Sequence, residues 1–183
     1  MAAEKKSKME TKYVVYVGMF AALLAILSQI AIPMPSGVPI TLQTFAVAVT
    51  GVILGYKLGC VSIFVYILLG AVGVPVFTGF MGGIGKLVGP TGGFIWGFIF
   101  MILFCGLSTR TKNIVGKAFL CMVGLACCHL LGALQYSFVA GVSYVDSLLL
   151  VSVPYLIKDV ASVIIALVVG MIVRFQLVRS KVL

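Results

Sequence analysis

Six apolar runs, at about residues 13–32, 40–55, 59–74, 92–107, 118–139 and 148–173, alternate with short polar or glycine-rich stretches. A helix needs about 20 apolar residues to cross a bilayer, with about 17 as the lower limit. The first, fifth and sixth runs satisfy this; the second, third and fourth sit at or below it. None of the runs alternates apolar and polar positions with period two, which excludes a membrane β-barrel. The pattern therefore predicts an all-α integral membrane protein, a bundle of six transmembrane helices. The first run, Tyr13 to Ile32, is too long for a signal-peptide core of about 7–15 residues and reads as an uncleaved helix. The expected division is a basic N-terminus (1–12), a six-helix membrane domain (13–173) and a basic tail (174–183).

Composition agrees with this reading. The 183 residues are 62% hydrophobic and only 9% charged, whereas a soluble domain carries about 25% charged residues. The net charge of +9 would suggest nucleic acid, but its distribution points to a membrane instead. Lys5, Lys6, Lys8 and Lys12 precede the first run, Lys57 follows the second, and Arg110, Lys112 and Lys117 lie between the fourth and fifth. Arg174, Arg179 and Lys181 follow the last. With a cytoplasmic N-terminus all eleven fall inside, only Lys86 falls outside, and Lys158 lies within the sixth run. That bias places both termini in the cytoplasm of a bacterial-type plasma membrane, with lipid headgroups as partners and no nucleic acid. The five cysteines lie in or at the ends of apolar runs without CxxC spacing, so they predict packed thiols and no metal site.

The stretch PVFTGFMGGIGKLVGPTGG, residues 75–93, holds seven glycines and one lysine. A phosphate-binding loop requires G-x-x-x-x-G-K-[ST]. Gly85–Lys86 matches its centre, but Phe80 stands where the first glycine belongs and Leu87 replaces the hydroxyl residue. The dinucleotide spacing fails as well, and the charge count puts this loop outside. Glycine also serves where backbone must approach a ligand or turn sharply. With Pro75, Phe77, Phe80, Met81, Leu87 and Pro90 available to pack, the stretch predicts an ordered lid or pocket wall, in which Lys86 is a solvated, incidental charge.

The sharpest polar feature is Lys158–Asp159 inside an apolar run. Each charge at the bilayer centre costs about 2.5–3.5 kcal/mol on insertion scales, which marks such residues as functional. Neighbouring helix residues project about 100° apart, so a mutual ion pair is expected to be poor. Proline favours the first turn of a helix; a start at Pro154 puts the pair one to two turns below the outer surface. Tyr155, Asp159 and Ser162 then share a face and open a pocket to the outside. Gln43 with Thr41, and Gln135 with Tyr136, either line that pocket or pack. His129 reads as a packed helix residue.

On the first helix, Gly18 with Ala22 and Ala21 with Ala25 form small pairs at i, i+4, suited to internal packing or to docking against another membrane protein. The chain has no Walker motif, so uphill transport would draw energy from an ion gradient or from another subunit. A membrane-embedded enzyme lacks support: there is no GxSG serine motif, no paired carboxylates and no histidine-rich cluster.

Three elements follow in order: V-P-x-T-L-Q at 38–43, L-G-x-x-L-G at 54–59, and P-V-F…G-P-T-G-G at 75–93, with a proline–aspartate motif opening the sixth helix. Together they resemble BioY, the biotin-specific S-component family of energy-coupling factor (ECF) transporters, over most of the chain. The resemblance implies six helices, an outward-facing pocket for biotin as substrate, no covalently bound cofactor and no catalytic residues. It further implies an ECF transmembrane coupling subunit and ATPase subunits as partners. The family's A-x-x-x-A docking motif falls on Ala21 and Ala25. Its pocket falls on the glycine loop with Thr78, Gly79 and Phe80, on Thr91 and Gly92, and on Asp159, which would accept from a polar group such as the ureido nitrogens. The family pattern P-x-x-x-x-D-x-x-K fits Pro154 and Asp159, but Ser162 stands at its lysine; Lys158 is available instead, so which cation meets the biotin carboxylate stays open. Phe80 replaces a polar residue found in some relatives. The alternative function is a self-sufficient secondary carrier for biotin or a related small polar molecule.

Overall fold

A computed structural model describes residues 2–180, and side chains from Thr11 onward. Lys181 lies outside the described residues, as do the side chains of Lys5, Lys6 and Lys8. Among the described residues the regular elements are helices apart from one pairing of two-residue strands. In order it forms α1 (Ala2–Ser28), β1 (Ala31–Ile32), β2 (Ile40–Thr41), α2 (Gln43–Ala71), α3 (Ile84–Val88), α4 (Gly92–Ser108), α5 (Ile114–Ala140), α6 (Tyr144–Val151) and α7 (Val153–Arg179). Among the described residues four helices are long and apolar enough to cross a membrane, at 11–28, 43–71, 114–140 and 153–179, and the 17-residue α4 is a shorter apolar helix.

Three boundaries differ from the apolar pattern, each for a local reason. The first helix ends at Ser28 rather than Ile32, because Pro33 and Pro35 follow. A residue before proline is driven into extended backbone, and Ala31–Ile32 instead pair antiparallel with Ile40–Thr41. The second and third runs form one hydrogen-bonded helix that is broken at Gly55, whose φ of 76° and ψ of 176° are non-helical. Beyond it the chain doubles back: a Cβ placed on Gly59 would stand 3.5 Å from the Gly51 Cα, residues that would lie about 12 Å apart along a straight helix. The last run divides at Ser152 (φ −121°, ψ −57°), leaving the short α6 and a new helix with Pro154 in its first turn.

The core joins α1, α2, α4, α5 and α7 around side chains such as Leu24, Val47, Ile63, Met101, Cys105 and Val163, all at most 2% exposed. α4 and α5 come together closely through Gly97, which faces the Cys128 backbone, and Gly124, which faces that of Met101. Such close approach of backbones replaces the missing hydrophobic drive between helices in lipid with dispersion contact. A second cluster of Val38, Ala133, Tyr136, Val151 and Tyr155 ties the 33–42 loop to α5, α6 and α7. The glycine loop, the 33–42 loop and the start of α7 thereby gather at one end of the bundle. Gly55, Thr109 and Arg174 meet at the other.

Candidate functional site

At the glycine-loop end the helices enclose a narrow cleft. The cleft has a volume of about 60 Å³. One side is apolar: Phe77, Phe94, Ile95, Phe98 and Leu125. Polar groups converge from the other elements: Thr41 on β2, Gln43 and Thr44 at the start of α2, Thr78, Lys86 and Thr91 from the glycine loop, His129 on α5, and Tyr155, Lys158 and Asp159 on α7.

Asp159 is the centre of this arrangement and is 5% exposed. One carboxylate oxygen lies 3.2 Å from His129 Nε2, and the other contacts the Lys158 ammonium. The expectation that adjacent helix residues would pair poorly is thus corrected. The lysine's four-carbon stem curls back to its neighbour, and its Nζ also donates to the Thr41 carbonyl at 2.8 Å. That carbonyl, on β2, fixes the direction of the stem. With Nε2 protonated, the imidazole donates to the carboxylate, and the Phe94 ring meets the imidazole edge-on at 5.9 Å. A buried charge needs such partners, since an uncompensated one costs several kcal/mol.

Three polar atoms in the cleft wall are buried without a hydrogen-bond partner among the described residues; Asp159 Oδ1 has the Lys158 ammonium as its ion-pair partner, which leaves Thr91 Oγ1 and His129 Nδ1. Buried polar atoms are normally satisfied, so these two are free to meet polar atoms of a guest. Gln43 works differently. Its amide donates to the Tyr66 hydroxyl at 3.0 Å and accepts from Thr41 and Thr78, each at 3.2 Å, so it orients the two threonines at the rim.

Other predicted residues brace the cleft without lining it. Gln135 donates to the Leu87 and Gly89 carbonyls at 2.9 and 2.8 Å, anchoring the glycine loop. Gly92 presses on the same turn, where a Cβ would come within 1.9 Å of the Leu87 carbonyl. Gly79 and Phe80 form a left-handed turn (φ 77° and 54°), and Phe80 is 73% exposed. Ser162 is buried on the face of Tyr155 and Asp159 but lies outside the lining. Tyr155 borders the cleft while its hydroxyl donates to the Val38 carbonyl and meets Ser36 Oγ at 2.7 Å. Tyr136 donates to the Ser36 carbonyl.

Lys86, expected as a solvated loop charge, borders the cleft, with its Nζ 3.6 Å from the Met81 sulfur. His129 is buried and packed, as expected, and also stands beside Asp159 in the cleft wall; the insertion cost that singles out Lys158 and Asp159 applies to any ionisable group in an apolar run. On α1 the small pairs separate. Ala21 is buried and Ala25 packs against the core, so this pair lies on the packed side of α1, whereas Gly18 and Ala22 are exposed.

The BioY family model matches residues 3–179. A probable biotin transporter BioY of Pyrococcus horikoshii is 37% identical over 160 residues, covering 86% of this chain and 96% of its own. The biotin transporter BioY2 of Lactococcus lactis subsp. cremoris is 34% identical over 153 residues, 82% of this chain and 84% of its own. Among solved structures, the crystal structure of the S-component for biotin from an ECF-type ABC transporter superimposes with a TM-score of 0.84 at 27% identity, over 92% of this chain and 94% of that one. In sequence along nearly its whole length and in fold, the chain belongs to the BioY family.

Proposed function

We propose that the chain captures biotin in the cleft beneath the glycine loop and acts as the substrate-binding membrane subunit of an ECF-type transporter, not as an enzyme. The observation that carries this is Asp159, held by His129 and Lys158 in a narrow cleft with one apolar wall. Biotin offers ureido N–H donors to a carboxylate, a fused apolar ring system to Phe94, Phe98 and Leu125, and its own carboxylate at the end of a flexible chain. Lys158 is already committed to Asp159 and the Thr41 carbonyl, so Lys86 is the cation left for the biotin carboxylate. Thr91 and His129 supply the remaining polar contacts, and Gln43, Thr78, Gln135 and Tyr155 hold the walls. The names of the relatives and of the structural neighbour support the same substrate.

For topology, α1, the two halves of α2, α4, α5 and α7 are six membrane segments, with the cleft outside and both basic termini in the cytoplasm of the cell membrane. The exposed Gly18–Ala22 side of α1 is the docking face for a coupling subunit, through which ATPase subunits drive uptake. Calorimetry of biotin on the purified protein tests the central claim. Asp159→Asn should weaken binding at least about tenfold, the value of a hydrogen bond to a charged group, in a protein that still inserts; unchanged affinity removes Asp159 from the site.

A further inference from the structure

A second cleft opens at the other end of the bundle, between the C-terminal end of α4, the first turn of α5 and the last turns of α7. The cleft has a volume of about 280 Å³. Val52, Met171 and Phe175 make it apolar, Ser108 lies at its base, and Lys117 and Arg174 bring two positive charges. Among the described residues no carboxylate lines it. Asp159 and Asp146 stand at the glycine-loop end.

Arg174 is partly buried, and one of its N–H groups donates to the Ile53 carbonyl in the last turn before the Gly55 break. A guanidinium has five N–H donors, so most of its hydrogen-bonding capacity and its whole charge remain. The neighbouring Arg110 is engaged elsewhere, over the Tyr56 ring and on its hydroxyl. A partly desolvated cation pair without an anion is costly in an apolar setting, and a phosphodiester matches the fork of arginine. Inorganic phosphate would satisfy the charges but leave Met171 and Phe175 uncovered. We propose that this cleft is a binding site for an anionic phospholipid, its phosphate between Lys117 and Arg174 and an acyl chain along Met171, Phe175 and Val178.

The site is independent of the biotin cleft. Its test is native mass spectrometry of the full-length protein released from nanodiscs containing phosphatidylcholine and phosphatidylglycerol in equal amounts. Retention of phosphatidylglycerol should exceed that of phosphatidylcholine by about tenfold, as two cations near an anionic headgroup imply. Lys117→Gln should cut the preference to below about threefold, and Thr109→Asp, which puts a carboxylate in the cleft, should abolish it. Lys117 is the residue to change because Arg174 also holds the Ile53 carbonyl. Equal retention of both lipids by the unmodified protein overturns the proposal. So does a preference that survives both substitutions, or displacement of phosphatidylglycerol by millimolar inorganic phosphate, which would assign a free-anion site instead.

Discussion

The two ends of this bundle solve the same problem, an ionic group in an apolar setting, in opposite ways. At the glycine-loop end the chain supplies both signs of charge: the Asp159 carboxylate meets the His129 imidazole and the Lys158 ammonium, and a backbone carbonyl takes another lysine proton. The cleft there is narrow. At the basic end Lys117 and Arg174 have no carboxylate beside them among the described residues, and the cleft has more than four times the volume. Internal neutralisation fixes side chains in one arrangement, which suits recognition of a particular molecule. An unbalanced charge leaves the neutralising group to come from outside and selects a class, not a molecule.

Breaking the internal neutralisation tests this contrast most strongly. In His129→Leu the Asp159 carboxylate keeps only Lys158, so biotin affinity should fall about ten- to thirtyfold, as for loss of a hydrogen bond to a charged group. His129→Asn, which can still donate, should recover part of it in titration calorimetry, whereas equal losses would show that His129 only fills space. Lys86 follows in size. Lys86→Gln should weaken biotin about five- to tenfold, within the range for a partly exposed charge pair, and leave the binding of biotin methyl ester within about twofold. If the ester loses as much as the acid, Lys86 does not meet the biotin carboxylate.

These effects also separate what the sequence made legible from what it did not. The insertion cost of a charge identifies Asp159 and Lys158 before any geometry, and the pattern of runs places the helices well enough to bring the glycine loop over them. The same pattern cannot see that α2 doubles back at Gly55, since the sign of a glycine φ leaves no trace in hydropathy. It cannot see that Lys158 turns to Asp159 either, because the Thr41 carbonyl that draws it comes from a β pairing more than a hundred residues away. Ala21 and Ala25 show a different limit: small residues at i, i+4 serve packing and docking equally, and only burial distinguishes them. The second cleft was invisible because its walls come from residues 52, 108, 117, 171 and 174, scattered over four helices with no motif among them.

The smallest predicted effect concerns the joint between α1 and the lid. Gln29, just beyond the end of α1, points its amide nitrogen at the Val76 and Phe77 carbonyls, each at 3.2 Å, and its amide oxygen accepts from the Phe80 backbone N–H at 2.8 Å. It thereby steadies a non-glycine residue at φ 54°, a conformation that costs about 1–3 kcal/mol without support. The segment has other anchors: Ser28 Oγ donates to the Val76 carbonyl at 2.6 Å, and the Phe77 ring meets Tyr66 edge-on at 5.5 Å. Gln29→Ala should therefore leave the fold intact and weaken biotin only about threefold, of the order of one neutral hydrogen bond, seen as faster dissociation in stopped-flow measurements. Gln29→Glu should be worse than Ala, because a carboxylate keeps the Phe80 contact but faces two carbonyl oxygens with no hydrogen to offer. The reverse order, Glu milder than Ala, would mean that Phe80 alone is what Gln29 holds. Since α1 carries the proposed docking face, the same joint is where movement of that helix would first reach Phe77 and Thr78 in the wall of the cleft.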